Sequence, residues 1–304
     1  MALQDSPFPR DAGIPDRLAS RDVTGLLSAA RSAMSRGLIL EPAKTEDLVT
    51  RFGLESREEL GLHLLPLARE IAAPPISDFH VGAVGVATDG TVILGGNLEW
   101  PGTNLGFTLH GEGFVAIRAH HLGLRLATLA ITEAHPCAHC RQCLAEHASG
   151  ETLMIVDPHG HRLSLSDLYP WPFSPTALGQ PGALPEKTLP VTITGHCPEP
   201  VRDLLTAEAG RAHAPYSGSV SALVLDTGQL SVCGFVIESV AFNPTIQPVM
   251  SAFVQLIANG GRPSDVRQAW LLQRGGSVDY AAPTADLLGK VAPGAALHLL
   301  DWPA

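Results

Sequence analysis

The chain has 304 residues, 45% hydrophobic and 16% charged, with a net charge of −10, enough for about two domains with separate cores. No stretch approaches the roughly 18 apolar residues of a membrane span, and the acidic balance argues against a polyanionic partner such as nucleic acid. Five cysteines give no disulfide framework, and no basic patch leads into an apolar run at the start, so a cytoplasmic protein is expected.

Residues 1–50 begin with a proline-containing tail and then carry Val23, Leu26, Leu27, Ala30 and Met34 at helical spacing; they read as an N-terminal helical segment. A helix from about Glu58, with Leu60, Leu64, Leu67, Ala68 and Ile71, runs into Pro74 and Pro75. Two strands follow, Val81 to Ala87 and Thr91 to Gly95, joined at Asp89-Gly90. Phe114, Val115, Ile117, Ala119 and Leu122 predict a helix opened by His110-Gly111-Glu112. Leu126 to Ile131 reads as a buried strand, and Pro136 announces a helix over about 137–148. Prolines crowd 169–190, which reads as a linker.

Beyond it the pattern begins again, with a helix near 201–212, strands around Asp226-Thr227-Gly228 and a helix near 245–258. Ser77 and Ser217, like Glu99 and Glu238, recur at a similar interval, which predicts a duplicated α/β unit. The second copy carries Phe242-Asn243-Pro244-Thr245 where the first has His110-Gly111-Glu112, and no Cys-x-x-Cys follows. The divisions are therefore 1–50, a catalytic domain at 51–168, the linker 169–190, and a metal-free copy at 191–304.

His110-x-Glu112 followed by Pro136-Cys137-x-x-Cys140 carries the chemistry. Zinc takes thiolate and imidazole ligands in a tetrahedron, and a catalytic site supplies three of them and leaves the fourth place to water. His110, Cys137 and Cys140 are the candidate ligands. Glu112, left over beside them, is the candidate proton carrier. This pairing is a known signature of zinc-dependent nucleobase deaminases. Each half alone has a plainer reading: a solvated polar pair at a helix start, half of a zinc ribbon, or a thioredoxin-like redox pair. No separate second Cys-x-x-Cys exists to complete a ribbon, since Cys140 to Cys143 only overlaps the first pair, and a redox pair needs no His-x-Glu upstream.

Together with Phe79-His80-Val81-Gly82-Ala83, Gly96-Asn97-Leu98-Glu99, Cys140-Arg141-Gln142, Ala214-Pro215-Tyr216-Ser217 and Ala241-Phe242-Asn243-Pro244-Thr245, these motifs make the chain resemble the long, homodimeric bacterial type of cytidine deaminase. The resemblance covers all but the first 40 or so residues. It implies a duplicated three-layer α/β/α fold, Zn2+ as cofactor, and pyrimidine nucleoside as small-molecule partner. It also implies a homodimer, and conversion of cytidine and deoxycytidine to uridine and deoxyuridine, with Glu112 moving the protons.

The same resemblance gives Asn97 and Glu99 the ribose hydroxyls and sets Phe79 beside the pyrimidine. It offers the Gly111 backbone N–H to the base carbonyl, and has Phe173 reach the base from the partner subunit. Gly111 stands where the family usually has alanine, Cys143 where it commonly has phenylalanine, and His80 where asparagine is common. Cys143 is either a buried packing residue or an additional ligand. His120, His121, His159 and His161 are expected on surface loops or helices. Deamination of another base and a non-enzymatic zinc protein are the alternatives. Asn97 to Glu99 speak against the first, and Glu112, which a structural site does not need, against the second.

Overall fold

The computed structural model describes residues 6–132, 135–147 and 150–303. The N-terminal segment forms three short helices, α1 (Gly13–Ser20), α2 (Leu26–Ala33) and α3 (Pro42–Arg51), with a two-residue strand β1 (Ile39–Leu40) between the last two. Only α2 was marked by periodicity. These helices lay Ile14, Leu26, Ala30 and Leu48 against α4 (Arg57–Arg69). Ser56 caps α4 by accepting the Glu59 N–H at 3.1 Å, satisfying one of the donors that a helix start leaves free.

The first sheet has the order β1-β3-β2-β4-β5-β6, built from β2 (Gly82–Ala87), β3 (Val92–Gly96), β4 (Leu126–Ile131), β5 (Met154–Val156) and β6 (Arg162–Ser164). Every residue of β2 is buried, because helices cover both faces. Val84 and Val86 point to the α4 side and Ala83 to the other, toward Val115 and Ala116 of α5 (Gly111–His121). Gly82 lets α4 lie close: a Cβ there would come 2.5 Å from the Arg69 nitrogen and 2.8 Å from the Leu65 oxygen. The strand order is completed by α6 (Ala138–Glu146) before β5 and by α7 (Leu165–Leu168) after β6.

The second sheet, β7 (Ser221–Asp226), β8 (Ser231–Phe235), β9 (Gln268–Gln273) and β10 (Ala296–Asp301), has the order β8-β7-β9-β10 when read from β8. Its pairings are antiparallel, antiparallel and parallel, the same run as β3-β2-β4-β5. Helices α8 (Glu199–Glu208), α9 (Pro248–Ala258) and α10 (Ala281–Val291) accompany it. The duplication expected from spacing is thus present in the topology.

Residues 169–190 include a short 3-10 helix, Pro175–Leu178, and a bridge between Ala183 and His147. The two halves share a core, in which Phe114 and Ile117 of α5 join Phe235, Val249 and Phe253. Arg118 and Gln255, the eighth residues of α5 and α9, meet across this seam, Arg118 donating to the Gln255 side-chain oxygen and to Gly37 O at 3.1 Å. Among the described residues no helix is long and apolar enough to cross a membrane.

Candidate metal and catalytic site

His110 and Cys137 are the N-cap residues of α5 and α6, and Cys140 lies one turn into α6. His110 is positioned by the pair of backbone bonds between Leu98 and Leu109, at 2.7 and 2.9 Å. Cys137 follows the stretch leaving β4. Both helix starts therefore converge where their partial positive charge favours thiolate over thiol.

The side chains meet. His110 Nδ1 is 3.6 Å from Cys137 Sγ and 3.2 Å from Cys140 Sγ, and the two sulfurs are 3.6 Å apart. A tetrahedral zinc with bonds of about 2.3 Å to sulfur and about 2.0–2.1 Å to nitrogen separates its ligands by about 3.6–3.8 Å, so the triad fits the ion with adjustments of tenths of an ångström. Two thiolates this close repel one another. Cys137, accepting from Cys140 and His110, is drawn down to about 3, while the contact with Cys137 together with burial pushes Cys140 strongly up. A divalent cation between them stabilises both as thiolates. His110 is held above the usual histidine range by its contact with Cys137, against the opposing effect of burial.

Glu112, 4% exposed in the first turn of α5, is not among the converging ligand atoms. Burial pushes its carboxyl up, opposed by its backbone hydrogen bond and the charge of His110. Gly111 is the first residue of α5, so its N–H lies among the donors without an intrahelical partner. An added Cβ would meet Ala83 Cβ at 3.1 Å.

Asn97 is buried at the end of β3 and braces the neighbouring loop with both ends of its amide, accepting from Val81 N at 2.9 Å and donating to Phe79 O at 2.8 Å. Phe79 itself is 53% exposed. Glu99 accepts from Ile76 N and Ser77 N, both at 2.8 Å, and from the Ser77 hydroxyl at 2.5 Å. Although partial burial acts the other way, these bonds hold its carboxyl below the ordinary range. The copy repeats the brace, with no metal triad nearby among the described residues: Glu238 accepts from Tyr216 N at 2.8 Å and Ser217 N at 3.1 Å. Phe173 is exposed on the 169–190 segment, and its carbonyl accepts from Gln142 Nε2 of α6 at 2.7 Å.

Several expectations change. The counterpart of His110-Gly111-Glu112 is Gln247-Pro248-Val249, not 242–245: Leu98 bridges Leu109 just as Ile237 bridges Ile246, and Gln247 is the N-cap of α9. Cys143 packs in the shared core, where burial pushes its thiol up to about 12, and is not among the ligand atoms. His120 and His161 are each 1% exposed and His121 is half-buried, against the surface positions expected, whereas His159 is exposed as expected. They were misplaced because the partners that bury them are distant in sequence; His120 Nε2 lies 3.0 Å from Arg211 O.

The sequence reading also missed Glu146, the last residue of α6. It accepts from His213 Nε2 at 2.9 Å, Tyr216 OH at 2.8 Å and Val240 N at 2.8 Å, all in the second half. The available signal was its helical spacing from Cys143, which put both on one face of α6. A cavity of about 200 Å³ beside the triad is lined by Leu105, His110, His139, Cys140, Cys143 and Ile246. A larger one, about 630 Å³, lies between Thr227, Arg262, Arg267 and Pro293, away from the triad. The donor chemistry, not the volume, identifies the site.

The sequence pattern described as the cytidine and deoxycytidylate deaminase zinc-binding region matches twice, over residues 55–155 and 165–284. The chain belongs to this family. It is similar to a cytidine deaminase of Shewanella amazonensis, with 33% identity over 266 residues, covering 87% of this chain and 89% of that one. It is likewise similar to one of Shewanella frigidimarina, with 30% identity over 275 residues, covering 88% and 86%. A solved cytidine deaminase from Mycobacterium tuberculosis is 35% identical, covering 38% of this chain and 95% of that chain, with a TM-score of 0.34. The fold is the family's α/β fold in duplicate, and Zn2+ is the cofactor, as the family's zinc-binding description and the His-Cys-Cys cluster agree.

Proposed function

We propose that the chain hydrolyses cytidine and deoxycytidine to uridine and deoxyuridine with release of ammonia, in the cytoplasm, at a zinc site held by His110, Cys137 and Cys140. The observation that carries this reading is the buried Glu112 beside three converging ligand atoms and not itself one of them. Zinc bound there supplies Lewis acidity, which makes water an effective nucleophile near neutral pH. Glu112 takes a proton from the attacking water and delivers it to N3 as C4 becomes tetrahedral. It then carries the remaining hydroxyl proton to the amine, which leaves as ammonia while the C4 carbonyl forms. Gly111 offers its N–H to the base carbonyl.

Phe79 stacks beside the ring on a loop that Asn97 stiffens. Asn97 retains its second amide proton, and Glu99 one unused lone pair on Oε1, for the ribose hydroxyls. Residues 51–168 act as the catalytic domain, and 191–304 as its metal-free copy beyond the linker 169–190. A homodimer is supported by exposed Trp171 and Phe173 on one segment and exposed Phe242 on another. Both segments are tied to α6, through Gln142 to Phe173 O and through His139 to Asn243 O. In this assembly Phe173 reaches the partner's base.

The test is ammonia release from zinc-loaded protein given cytidine, deoxycytidine, 3′-deoxycytidine, dCMP and guanine, with the mass in solution measured alongside. Cytidine and deoxycytidine should react, and 3′-deoxycytidine far more slowly. Turnover of guanine or dCMP alone would refute the reading, and equal specificity for cytidine and its 3′-deoxy analogue would remove Asn97 and Glu99 from ribose recognition.

A further inference from the structure

A second converging set lies outside the deaminase chemistry. One side-chain ligand atom from each of His135, Asp157 and His161 lies within 4.8 Å of the others. Asp157 opens the turn after β5 and His161 precedes β6, and the turn is tight: Asp157 Oδ1 accepts from His159 N at 2.8 Å and His161 N at 3.1 Å. His135 approaches from the stretch ahead of Cys137, its ring meeting that of His161 edge-on with centroids 4.7 Å apart. The His161 and Asp157 side chains are 1% and 5% exposed, and that of His135 16%.

Among the described residues, Nε2 of His135 and Nε2 of His161 are both buried without a hydrogen bond, a condition that native interiors avoid. His161 Nδ1 lies 2.7 Å from Asp157 Oδ2. The ring atom that faces the carboxylate is therefore Nδ1, and an ion held between it, Asp157 Oδ2 and His135 takes the place of the Nδ1 proton. His135 Nε2 is 3.9 Å from the same carboxylate oxygen. That is too long for a hydrogen bond, and a tetrahedral ion bonded at about 2.0–2.1 Å to each would draw the two about half an ångström closer.

We propose that His135, Asp157 and His161 form a second metal site, for a divalent transition ion such as zinc. Two imidazoles and one carboxylate are the donors of zinc, cobalt or nickel, whereas magnesium and calcium take oxygen ligands. Water completes the shell. A filled site ties the approach to Cys137 to the 157–161 turn, so the start of α6 is fixed by an ion that is not the catalytic one.

The test counts metal in the full chain, dialysed against chelator-buffered zinc and analysed by plasma mass spectrometry, beside His161→Gln, His135→Gln and Cys140→Ala. Two zinc ions per chain are expected for the wild type and one for each variant, with circular dichroism confirming the fold. Cobalt separates the sites. Sulfur-to-cobalt charge-transfer absorption belongs to the Cys137 and Cys140 site; it should saturate with one equivalent and survive His161→Gln. In the wild type a further equivalent should bind without adding to it. Saturation of the wild type at one ion per chain, or two ions retained by a folded His161→Gln, overturns the proposal. Loss of the thiolate absorption in the wild type would instead refute the catalytic site alone.

Discussion

Replacing Glu146 with alanine tests whether the second half of the chain supports the metal helix. The carboxylate is 1% exposed and receives His213 Nε2, Tyr216 OH and Val240 N. Alanine leaves those donors in a seam that excludes water, and each unpaired buried donor costs about 1–3 kcal/mol. Relaxation of the exposed end of His213 recovers part of this. The expected loss is therefore about 3–5 kcal/mol, out of a total of about 5–15 kcal/mol. Glutamine keeps one acceptor oxygen but points amide protons at a donor, so its loss should fall near half as much. Equilibrium urea unfolding measures both, and the shared core predicts one transition. Because Cys140 sits on the same helix, zinc should also pass to a chelator faster in Glu146→Ala. A loss below about 1 kcal/mol for alanine would show that these bonds are replaced by water and that the seam does not support the site.

Glu112→Ala should keep zinc on His110, Cys137 and Cys140 but lose about 100 to 10,000-fold in turnover; activity within tenfold of the parent, measured by ammonia release, would refute its role as proton carrier. Cys140→Ala should lose that zinc and the activity together, a result read by metal analysis and the same assay. Burial lowers His120 to about 4 and His121 and His147 to about 3. They remain neutral in the folded chain while the unfolded chain protonates them below about 6.5, so stability falls as pH drops from 6.5 toward 4, by about 2 kcal/mol for each at pH 5. Urea midpoints for zinc-loaded and zinc-free protein that stay level between pH 7 and pH 5 would contradict this. Gly234→Ala should destabilise severely, since its Cβ would come 2.0 Å from the Ala252 nitrogen of α9; a thermal midpoint within a few degrees of the parent's would show that α9 can retreat from β8.

The metal triad was legible because its residues lie in two short motifs, each at a helix start that its own sequence announces. Glu146, Arg118 and His161 were not, since what defines them is a partner brought close by folding: His213, Gln255 and the ring of His135. The β5–β6 hairpin escaped notice because three-residue strands are too short for alternation to register, and the duplicate was misaligned because the connection into α9 is shorter than that into α5. Once the copies are matched through their bridges, they separate structural roles from chemical ones within a single chain. Ser77 and Glu99 recur as Ser217 and Glu238 with the same backbone contacts, so bracing that turn belongs to the fold whether or not a metal is near. Asn97, His110 and Glu112 correspond instead to Val236, Gln247 and Val249. An amide, a ligand and a carboxylate are lost together, which is the pattern expected if they serve one reaction. By that comparison Asn97 has the stronger claim to substrate, and a Glu99 variant should lose turn stability as well as ribose recognition.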